Sequence, residues 1–483
     1  MTVVLGADPI TAEELLAIAD GEGVALSPAA RTRMTVARSV LTSALESGEA
    51  VYGLTRRLGA GVGDPVEDQA AFQRQVLRNH RADTGEPVPA PVVRAAMAAR
   101  LAHLAAGGSG ARPEVADALV ALLNHDLVPL VRDRGSVGAA DLVQNAAVAA
   151  VLIGEGAVLR EDGTVVPGAE ALAAAGLTPL EPEAHEALSL INTNAFALAS
   201  AAVLGARLDA LTDAADLAVA CSLEAAGAHR ASGDLGPFSA VVHADAGEDG
   251  RATSAERVRE LLDGSFLTDP ARERAVQDEL SFRCAPQVHG ALADTAADLL
   301  DAVDGELAVR PENPLVDAES GTITPNGSFA PVGLALDLER ARIALAHLGG
   351  IAERRIAVLS GLSAPLRASG TAGIPGLLAY TAAADLAALR ALAAPVTLGA
   401  APLSGVEDYA TFAWSAAEAG QKASDLLLEI LAIEVLHAAS LLRGRTDALG
   451  AGTRPVLARL VELIDADLSA DELVLTAALV LVS

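Results

Sequence analysis

The chain has 483 residues and a formal net charge of −29, with 34 Lys and Arg residues against 63 Asp and Glu residues. Apolar residues make up 52% of the sequence and aromatic residues only 2%. Such a negative charge argues against nucleic acid and anionic membranes as partners, because both bind clustered Lys and Arg. No apolar run approaches the roughly 18 residues of a membrane span. With few cysteines, these features predict a cytoplasmic protein.

The apolar residues are mainly Ala, Leu and Val, and the first two are strong helix formers, so we expect an all-α protein. A short strand over 2–5 and a helix near 11–19 precede an amphipathic helix over 28–47. Glycines then interrupt the helical pattern between residues 51 and 64. Further helices in the first part of the chain are predicted near 67–79, 91–105, 113–125 and 142–153.

The rest of the chain is predicted to contain the longest helices. Apolar periodicity indicates helices near 182–209, 213–227, 253–263, 268–275, 287–303, 331–360, 376–393, 408–441, 454–466 and 470–481. Turn residues predict a β-hairpin or loop over 305–330. We therefore expect a long central helical bundle with loop-built sites and minor β-hairpins. The predicted domains are a loop-rich helical domain over 1–200 and a long-helix bundle over 201–483.

Residues 135–142, Gly-Ser-Val-Gly-Ala-Ala-Asp-Leu, form a glycine-punctuated turn that leads into an apolar helix. Asp141 is placed to cap that helix by accepting hydrogen bonds from its first-turn amides. A helix N-terminus that faces a glycine loop can bind an anion or stabilise developing negative charge. From these residues alone, a core helix with a capped start is the more common interpretation.

Short motifs that follow one another in a fixed order carry a resemblance to a known superfamily. They are Val51-Tyr52-Gly53, Asn79-His80, Gly108-Ser109-Gly110, Gly135-Ser136-Val137-Gly138-Ala139, Asp141-Leu142, Leu190-Ile191-Asn192, Gln277-Asp278, Arg283-Cys284, Pro286-Gln287, Asn313-Pro314-Leu315, Glu353-Arg354-Arg355, Tyr380-Thr381 and Glu407-Asp408. Together they resemble the aromatic amino acid ammonia-lyase superfamily, which contains histidine and phenylalanine ammonia-lyases and related aminomutases.

The resemblance implies an all-α lyase that acts on a small molecule, assembled as a homotetramer whose sites combine loops from several subunits. In this superfamily an Ala-Ser-Gly tripeptide becomes an electrophilic methylidene-imidazolone, which makes the substrate nitrogen a leaving group. A loop tyrosine removes the β-proton, an arginine binds the carboxylate, and an asparagine and a second tyrosine assist.

The cofactor loop departs from this pattern. The superfamily reads Gly-Ser-Val-Gly-Ala-Ser-Gly-Asp where this chain reads Gly-Ser-Val-Gly-Ala-Ala-Asp, one residue shorter and without the serine that forms the methylidene. We therefore expect neither methylidene-imidazolone nor any other cofactor or metal. The residues of this degenerate loop are Gly138, Ala139, Ala140 and Asp141.

The other motifs match the part of the site that handles the substrate. Tyr52 is the candidate base, and nearby positive charge or a helix N-terminus would be needed to lower its pKa from about 10. Arg283 or the loop residues Arg56 and Arg57 are candidates to supply that charge. The remaining predicted site residues are Asn192 and Glu407 as catalytic groups, and His80, Arg283, Leu280, Gln144, Asn145 and Tyr409 as substrate-binding groups, with Leu280 at the position of the second tyrosine.

Several of these residues also have a purely structural interpretation. Arg283 and Glu407 would also suit a structural ion pair, and His80 would suit the end of a helix. The loop arginines are equally consistent with a solvated charged loop. Gln144 and Asn145 would either occupy the space of the missing ring or cap the helix.

Two hypotheses for function follow. The first is a methylidene-imidazolone-independent enzyme of specialised metabolism, and not a standard ammonia-lyase. It would catalyse acid–base elimination, addition, isomerisation or cyclisation on a small carboxylate- or carbonyl-bearing substrate derived from an amino acid. The second is a catalytically inactive homologue that binds a small molecule or a related lyase subunit.

Overall fold

The computed structural model describes residues 2–245, 249–400, 405–466 and 468–482. Its α-helices, numbered α1 to α19 in chain order, are Ala12–Ala19, Pro28–Ser47, Gln69–His80, Ala90–Ala105, Pro113–Asn124, Leu142–Leu152, Gly168–Ala174, Glu186–Ile191, Ala195–His229, Ala240–His243, Gly250–Leu261, Leu280–Arg283, Ala285–Ala308, Val332–Leu362, Ala364–Ala368, Leu378–Leu392, Ala413–Leu442, Thr453–Ile464 and Ala470–Leu481. These helices confirm the predicted all-α class.

The strands are short and occur only in pairs. They are β1 to β8 at Thr2–Leu5, Gly23–Leu26, Thr84–Pro87, Arg132–Arg134, Ala157–Leu159, Val165–Pro167, Leu315–Asp317 and Thr322–Thr324. Strands β1 and β2 pair in parallel, and the other three pairs are antiparallel. The hairpin of β7 and β8 lies within the predicted hairpin region, so the prediction of minor β-hairpins is confirmed.

Four of the predicted helices differ from those in the structure. The predicted helices at 182–209 and 213–227 are instead α8 and the 35-residue α9, separated at residues 192–194. The predicted helix at 268–275 is absent from this described segment, where Pro270 cannot donate a backbone hydrogen bond. The predicted helix at 408–441 begins only at Ala413, because residues 405–412 form a short 3-10 turn and a loop.

The chain divides into two compact units. Unit 1 comprises Met1–Val203, Leu299–Leu338 and Pro395–Glu418, and unit 2 comprises Leu204–Asp298, Glu339–Ala394 and Ala419–Ser483. In unit 1, α4 is buried along most of its length and packs against α1 and α5. The apolar helix α6 packs against α3 and α8. The glycine-rich segment leads directly into the first turn of α6 at Leu142.

One helical stretch, Glu186–His229, is long and apolar enough to cross a membrane by length and composition alone. Within its most apolar window, 94% of the residues are buried inside the protein. Core helices of globular proteins have the same properties, so this stretch is weak evidence for a membrane span.

Unit 2 contains a fully buried ion pair. Arg355 Nε and Nη2 donate to the two oxygens of Glu434 at 2.5 and 2.9 Å, and neither side chain is exposed. Ser222 Oγ also donates to Glu434 Oε1 at 2.6 Å. The pair joins α14 to α17 and satisfies charges that would otherwise be costly in the core.

We expect Glu434→Gln to lower the free energy of unfolding by roughly 3 kcal/mol, because it leaves the Arg355 charge buried without a counter-ion. The midpoint of urea unfolding, followed by circular dichroism, measures the change. Glu462→Gln is the matched control, since Glu462 pairs with Arg459 at the surface and its loss should hardly move the midpoint. Equal shifts in the two variants would contradict the structural role of the buried pair.

Candidate active site

Unit 1 encloses a cavity with a volume of about 240 Å³. Its walls come from the loop that follows α2, the glycine-rich segment before α6, the helix α8, and the segments around residues 313–329 and 407–409. The lining residues are Tyr52, Leu58, Gly59, His80, Gly135, Ser136, Val137, Ala139, Ala140, Leu142, Val143, Leu188, Ile191, Asn192, Asn313, Phe329, Glu407 and Tyr409. Five other predicted site residues, among them both alanines of the cofactor loop, thus share this cavity with Tyr52 and Tyr409.

The loop carrying Tyr52 is held in place by its own backbone. Gly53 has a φ of +73° and donates its amide to Arg56 O at 2.9 Å. A Cβ atom at this position would force the end of the Leu188 side chain to move, and the positive φ of the turn itself favours glycine. As a result, the Tyr52 hydroxyl has a fixed position at the cavity wall.

Tyr52 and Glu407 form a hydrogen-bonded pair. The phenol donates to Glu407 Oε1 at 3.1 Å and accepts from the backbone amide of Gly59 at 2.9 Å. Burial, and secondarily the negative charge and hydrogen bond of Glu407, raise the pKa of Tyr52 to about 12. The pKa of Tyr52 is thus raised and not lowered as a phenol acting alone as a base would need. Arg57 instead lies over the Phe72 ring, 5.9 Å from its centroid.

Hydrogen bonds from residues 411 and 412 hold the glycine-rich segment in place. Thr411 Oγ1 donates to Gly138 O at 2.8 Å, and the Phe412 amide donates to Val137 O at 2.9 Å. Gly138 has a φ of +78°, and Ala140 adopts a left-handed φ of +57°, which is uncommon for a residue with a side chain. This tight turn exposes Ala139 and Ala140 to the cavity.

Asp141 does not cap α6 through its side chain, contrary to the prediction from the sequence. Its carboxylate accepts from Ser136 Oγ at 2.7 Å and from the Ala197 amide at 2.8 Å. Burial raises the pKa of Asp141 to about 6, although these hydrogen bonds oppose the shift. Asp141 therefore ties the turn to the start of α9 from behind the cavity wall.

His80 and Asn192 face the cavity with defined hydrogen bonds behind them. His80 Nδ1 lies 2.8 Å from Val76 O, and because a carbonyl oxygen can only accept, Nδ1 must carry a hydrogen and donate it. In the neutral ring, Nε2 is then left as an acceptor. Asn192 Nδ2 donates to Asn313 O at 3.3 Å, which leaves its Oδ1 available as an acceptor.

Four predicted substrate-binding residues lie elsewhere. Gln144 and Asn145 are buried and do not line the cavity, and Asn145 Nδ2 donates to Asp141 O and Thr193 O. Leu280 and Arg283 belong to unit 2. There Leu280 is 63% exposed, and Arg283 Nε donates to Asp278 O at 2.8 Å. Their roles toward a substrate stay predictions.

Several lining residues were not predicted from the sequence. Asn313 lies in the motif Asn313-Pro314-Leu315, which is one of those that carry the family resemblance, so this motif could have indicated Asn313 as a site residue. Phe329, Leu58 and Val137 carry no sequence signal, because a single apolar residue in a loop does not reveal which side of the chain it faces. Only the folded chain brings these three residues to the same cavity.

Comparison with known proteins identifies the relatives of this chain. A family model described as aromatic amino acid lyase matches residues 10–462. The chain is 37% identical to a histidine ammonia-lyase of Streptomyces avermitilis over 459 residues, which are 90% of this chain and 87% of the relative. It is also 37% identical to a histidine ammonia-lyase of Anaeromyxobacter sp. (strain K) over 472 residues, 91% and 90% of the two chains.

A solved structure shows the same fold. Ergothionase, an ergothioneine degrading enzyme from Treponema denticola solved in complex with desmethyl-ergothioneine sulfonic acid, aligns with a TM-score of 0.91 and 26% identity. The alignment covers 100% of this chain and 98% of that chain. The predicted ammonia-lyase-like fold is confirmed.

These relatives correct two predictions. Histidine ammonia-lyases use the methylidene-imidazolone group, so the expectation that this chain uses no cofactor is wrong. The prediction of a methylidene-imidazolone-independent enzyme of open reaction type is contradicted by the same relatives. They also give no support to excluding standard ammonia-lyase activity or to an inactive homologue. Those predictions rested on one loop, whereas the similarity extends over nine tenths of the chain.

The loop residues of this chain nevertheless do not fit the formation of that group. The methylidene carbon arises by dehydration of a serine side chain, and residues 139 and 140 are alanines without a hydroxyl. The nearby Ser136 hydroxyl is engaged by Asp141 and by the Gly138 amide. No step proposed for this chain is therefore routed through the group. Within the described residues, no cluster of His, Cys, Asp or Glu is placed to hold a metal ion.

The assignment of the family itself rests on the whole length of the chain rather than on the loop. The matching family model, the relatives at 37% identity and the superimposable fold agree over most of the residues. The chain belongs to the aromatic amino acid lyase family.

Proposed function

We propose that this protein cleaves the Cα–N bond of an α-amino acid with an imidazole-type ring, or of a derivative of such an amino acid. The products are an amine and an α,β-unsaturated acid. The observation that carries the proposal is the cavity in which the Tyr52–Glu407 pair and His80 meet. Histidine ammonia-lyases at 37% identity and the ergothioneine degrading enzyme of the same fold support an imidazole-type substrate.

His80 is the residue that we assign to the substrate ring. With Nδ1 donating to Val76 O, the neutral imidazole presents Nε2 as an acceptor. An imidazole N–H donates to such an atom, whereas a phenyl ring would leave it unpaired in a largely apolar cavity. The apolar lining residues Leu58, Val137 and Ile191 suit the faces of a flat ring.

The Tyr52–Glu407 pair is the group that we assign to proton transfer. With a pKa of about 12, Tyr52 keeps its proton at neutral pH and is a poor base by itself. Glu407 already accepts the hydrogen bond from the phenol. Tyr52 can therefore take the β-proton of the substrate while its own proton passes to Glu407. The electron pair of the broken C–H bond forms the Cα=Cβ bond as the amine leaves.

We further propose a homotetramer, with Arg283 as the group that binds the substrate carboxylate. No Lys or Arg is present among the described residues that line the cavity, so that charge must come from elsewhere. Helix α14 leaves Val332 and Leu336 exposed, and their spacing of four residues places them on one face. Such an apolar face is suited to helix packing between subunits.

We expect the purified protein to convert L-histidine or an N-alkylated histidine to a conjugated acid, detected by ultraviolet absorbance together with the released amine. L-phenylalanine should react far more slowly. Tyr52→Phe should reduce kcat by at least about 100-fold, because proton transfer is lost. Tyr380→Phe is the matched control, since Tyr380 is 74% exposed on unit 2. The proposal fails if no imidazole substrate reacts, or if Tyr52→Phe behaves like the control.

A second prediction concerns the titration of Tyr52. Its phenolate should form near pH 12, and Glu407→Gln should lower that pKa because the negative charge beside the phenol is removed. The ultraviolet phenolate signal that disappears in Tyr52→Phe reports this group. Although Tyr52 becomes more acidic, activity at neutral pH should fall in Glu407→Gln, and it should recover as the pH rises and phenolate forms. An unchanged pKa would argue against the pair.

Sedimentation or light scattering should give a mass about four times 48.7 kDa. Leu336→Glu, which introduces a charge on the exposed face of α14, should shift the mass toward smaller species. Val165→Glu provides the matched control, because Val165 is similarly exposed on strand β6. A monomeric unaltered protein would refute the homotetramer.

A further inference from the structure

The turn before α6 contains a polar pair that the proposed reaction does not use. Ser136 lines the cavity, whereas Asp141 is 1% exposed and lies behind the cavity wall. Ser136 Oγ donates to Asp141 Oδ1 at 2.7 Å and accepts from the Gly138 amide at 3.0 Å. A serine oxygen has one hydrogen to donate and two acceptor positions. Among the described residues no second donor reaches this oxygen, so its other acceptor position is open to the cavity.

The partners of the Asp141 carboxyl determine where it can hold a proton. Its Oδ2 accepts from the Ala197 amide at 2.8 Å, and the Phe196 amide also hydrogen-bonds to the carboxylate. Amides only donate, so the proton of a neutral carboxyl has Ser136 Oγ as its one acceptor among these partners. The Ser136 hydrogen must then turn away from Asp141. The Ala140 carbonyl, 3.5 Å from Ser136 Oγ, is a distant acceptor for it, which leaves this hydrogen available to the cavity.

Both protonation states of Asp141 are accessible near neutral pH. Burial raises its pKa to about 6, although Ser136 and the two amides lower it. No charged side chain in the described part of the chain contributes to this shift. The titratable groups around the pair are His103 on α4 and Glu306 on α13, both hydrogen-bonded to residues 193–194, and His80, Tyr52 and Glu407 at the cavity. Burial lowers the pKa of His103 to about 3, so this ring stays neutral.

We propose that Asp141 is a positioning residue whose protonation state determines whether Ser136 offers the cavity a hydrogen-bond acceptor or a donor. With Asp141 ionised, Ser136 donates to it and accepts an N–H of the substrate ammonium. With Asp141 protonated, Ser136 accepts from the carboxyl and presents its own hydrogen, which an ammonium group cannot use. The assignment to the ammonium rests on the proposed function, in which His80 receives the N–H of the ring.

The protonation of Asp141 can be measured without a ligand. Folding raises its pKa from about 3.9 to about 6, so its contribution to stability is complete below about pH 4 and is lost as the pH rises through 6. We expect the urea midpoint of the unaltered protein, relative to that of Asp141→Asn, to fall across this range. All other titrating groups are common to both proteins. A difference that does not change with pH would overturn the proposal.

Asp162→Asn is the matched control for this measurement. Asp162 is exposed, and a hydrogen bond from the Thr164 amide lowers the pKa of its carboxyl. Its contribution to stability is therefore lost as the pH falls. The difference between the unaltered protein and this variant should accordingly rise with pH, opposite in sign to that for Asp141→Asn.

Ser136→Ala tests whether the hydroxyl is coupled to the carboxyl. The variant removes a hydrogen bond that stabilises ionised Asp141, so the pKa of Asp141 should rise above 6. Comparison of Ser136→Ala with the double variant Ser136→Ala/Asp141→Asn gives this pKa from the pH dependence of their urea midpoints. The infrared carbonyl band of the protonated carboxyl, which Asp141→Asn removes, gives the same pKa in the folded protein. An unshifted pKa would overturn the coupling.

Binding of two ligands tests the effect on the cavity. At about pH 8, Asp141 is ionised, whereas the side-chain amide of Asp141→Asn donates to Ser136 as the protonated carboxyl does. With Tyr52→Phe used to block turnover, Asp141→Asn should weaken calorimetric binding of L-histidine by about tenfold. Imidazolylacrylate, the corresponding product without an ammonium group, should bind as tightly as before. Ser136→Ala should show the same selectivity, and Asp162→Asn should change neither dissociation constant.

The outcomes separate this inference from the proposed function. Equal weakening of both ligands would overturn the assignment of Ser136 to the ammonium. If L-histidine is cleaved but the Asp141 titration is absent, the pair fails while the proposed Cα–N cleavage stands. If the titration and its shift in Ser136→Ala are found but L-histidine neither binds nor reacts, the proposed function fails, and the assignment to the ammonium fails with it.

Discussion

The hydrogen bond from Tyr52 to Glu407 is the interaction on which the candidate site depends. It joins residues 355 positions apart in the chain. The loop of Tyr52 is shaped by the left-handed Gly53, and the segment of Glu407 precedes the start of α17. Because the phenol also accepts from Gly59, its position and protonation are both determined by its surroundings. The proposed proton transfer is therefore assigned to the pair and not to Tyr52 alone.

Another part of the cavity wall is built by a turn with little freedom. Gly138 and Ala140 have positive φ angles, Thr411 and the Phe412 amide hold the backbone, and Asp141 is used behind the wall. The relatives with 37% identity are histidine ammonia-lyases. In this chain Ala139 and Ala140 of the turn line the cavity.

The sequence was informative where many positions agreed. The ordered motifs from Val51 to Asp408 identified the superfamily and brought Tyr52, His80, Asn192 and Glu407 into consideration together, and all four line one cavity. It misled where one local departure was given too much weight. The loss of a serine led to predictions of no cofactor and of a cofactor-independent enzyme, and relatives with 37% identity contradict both.

Taken by itself, the sequence determined the helical class, through its Ala- and Leu-rich periodicity, and the family, through motifs that are local in the chain. Only the tertiary structure decided the partners of each polar group. Asp141 accepts hydrogen bonds from Ser136 and Ala197 instead of capping α6. Burial and the neighbouring Glu407 raise the pKa of Tyr52. Helix propensity acts between neighbours in the chain, whereas pKa values and cavity walls depend on residues that only folding brings together.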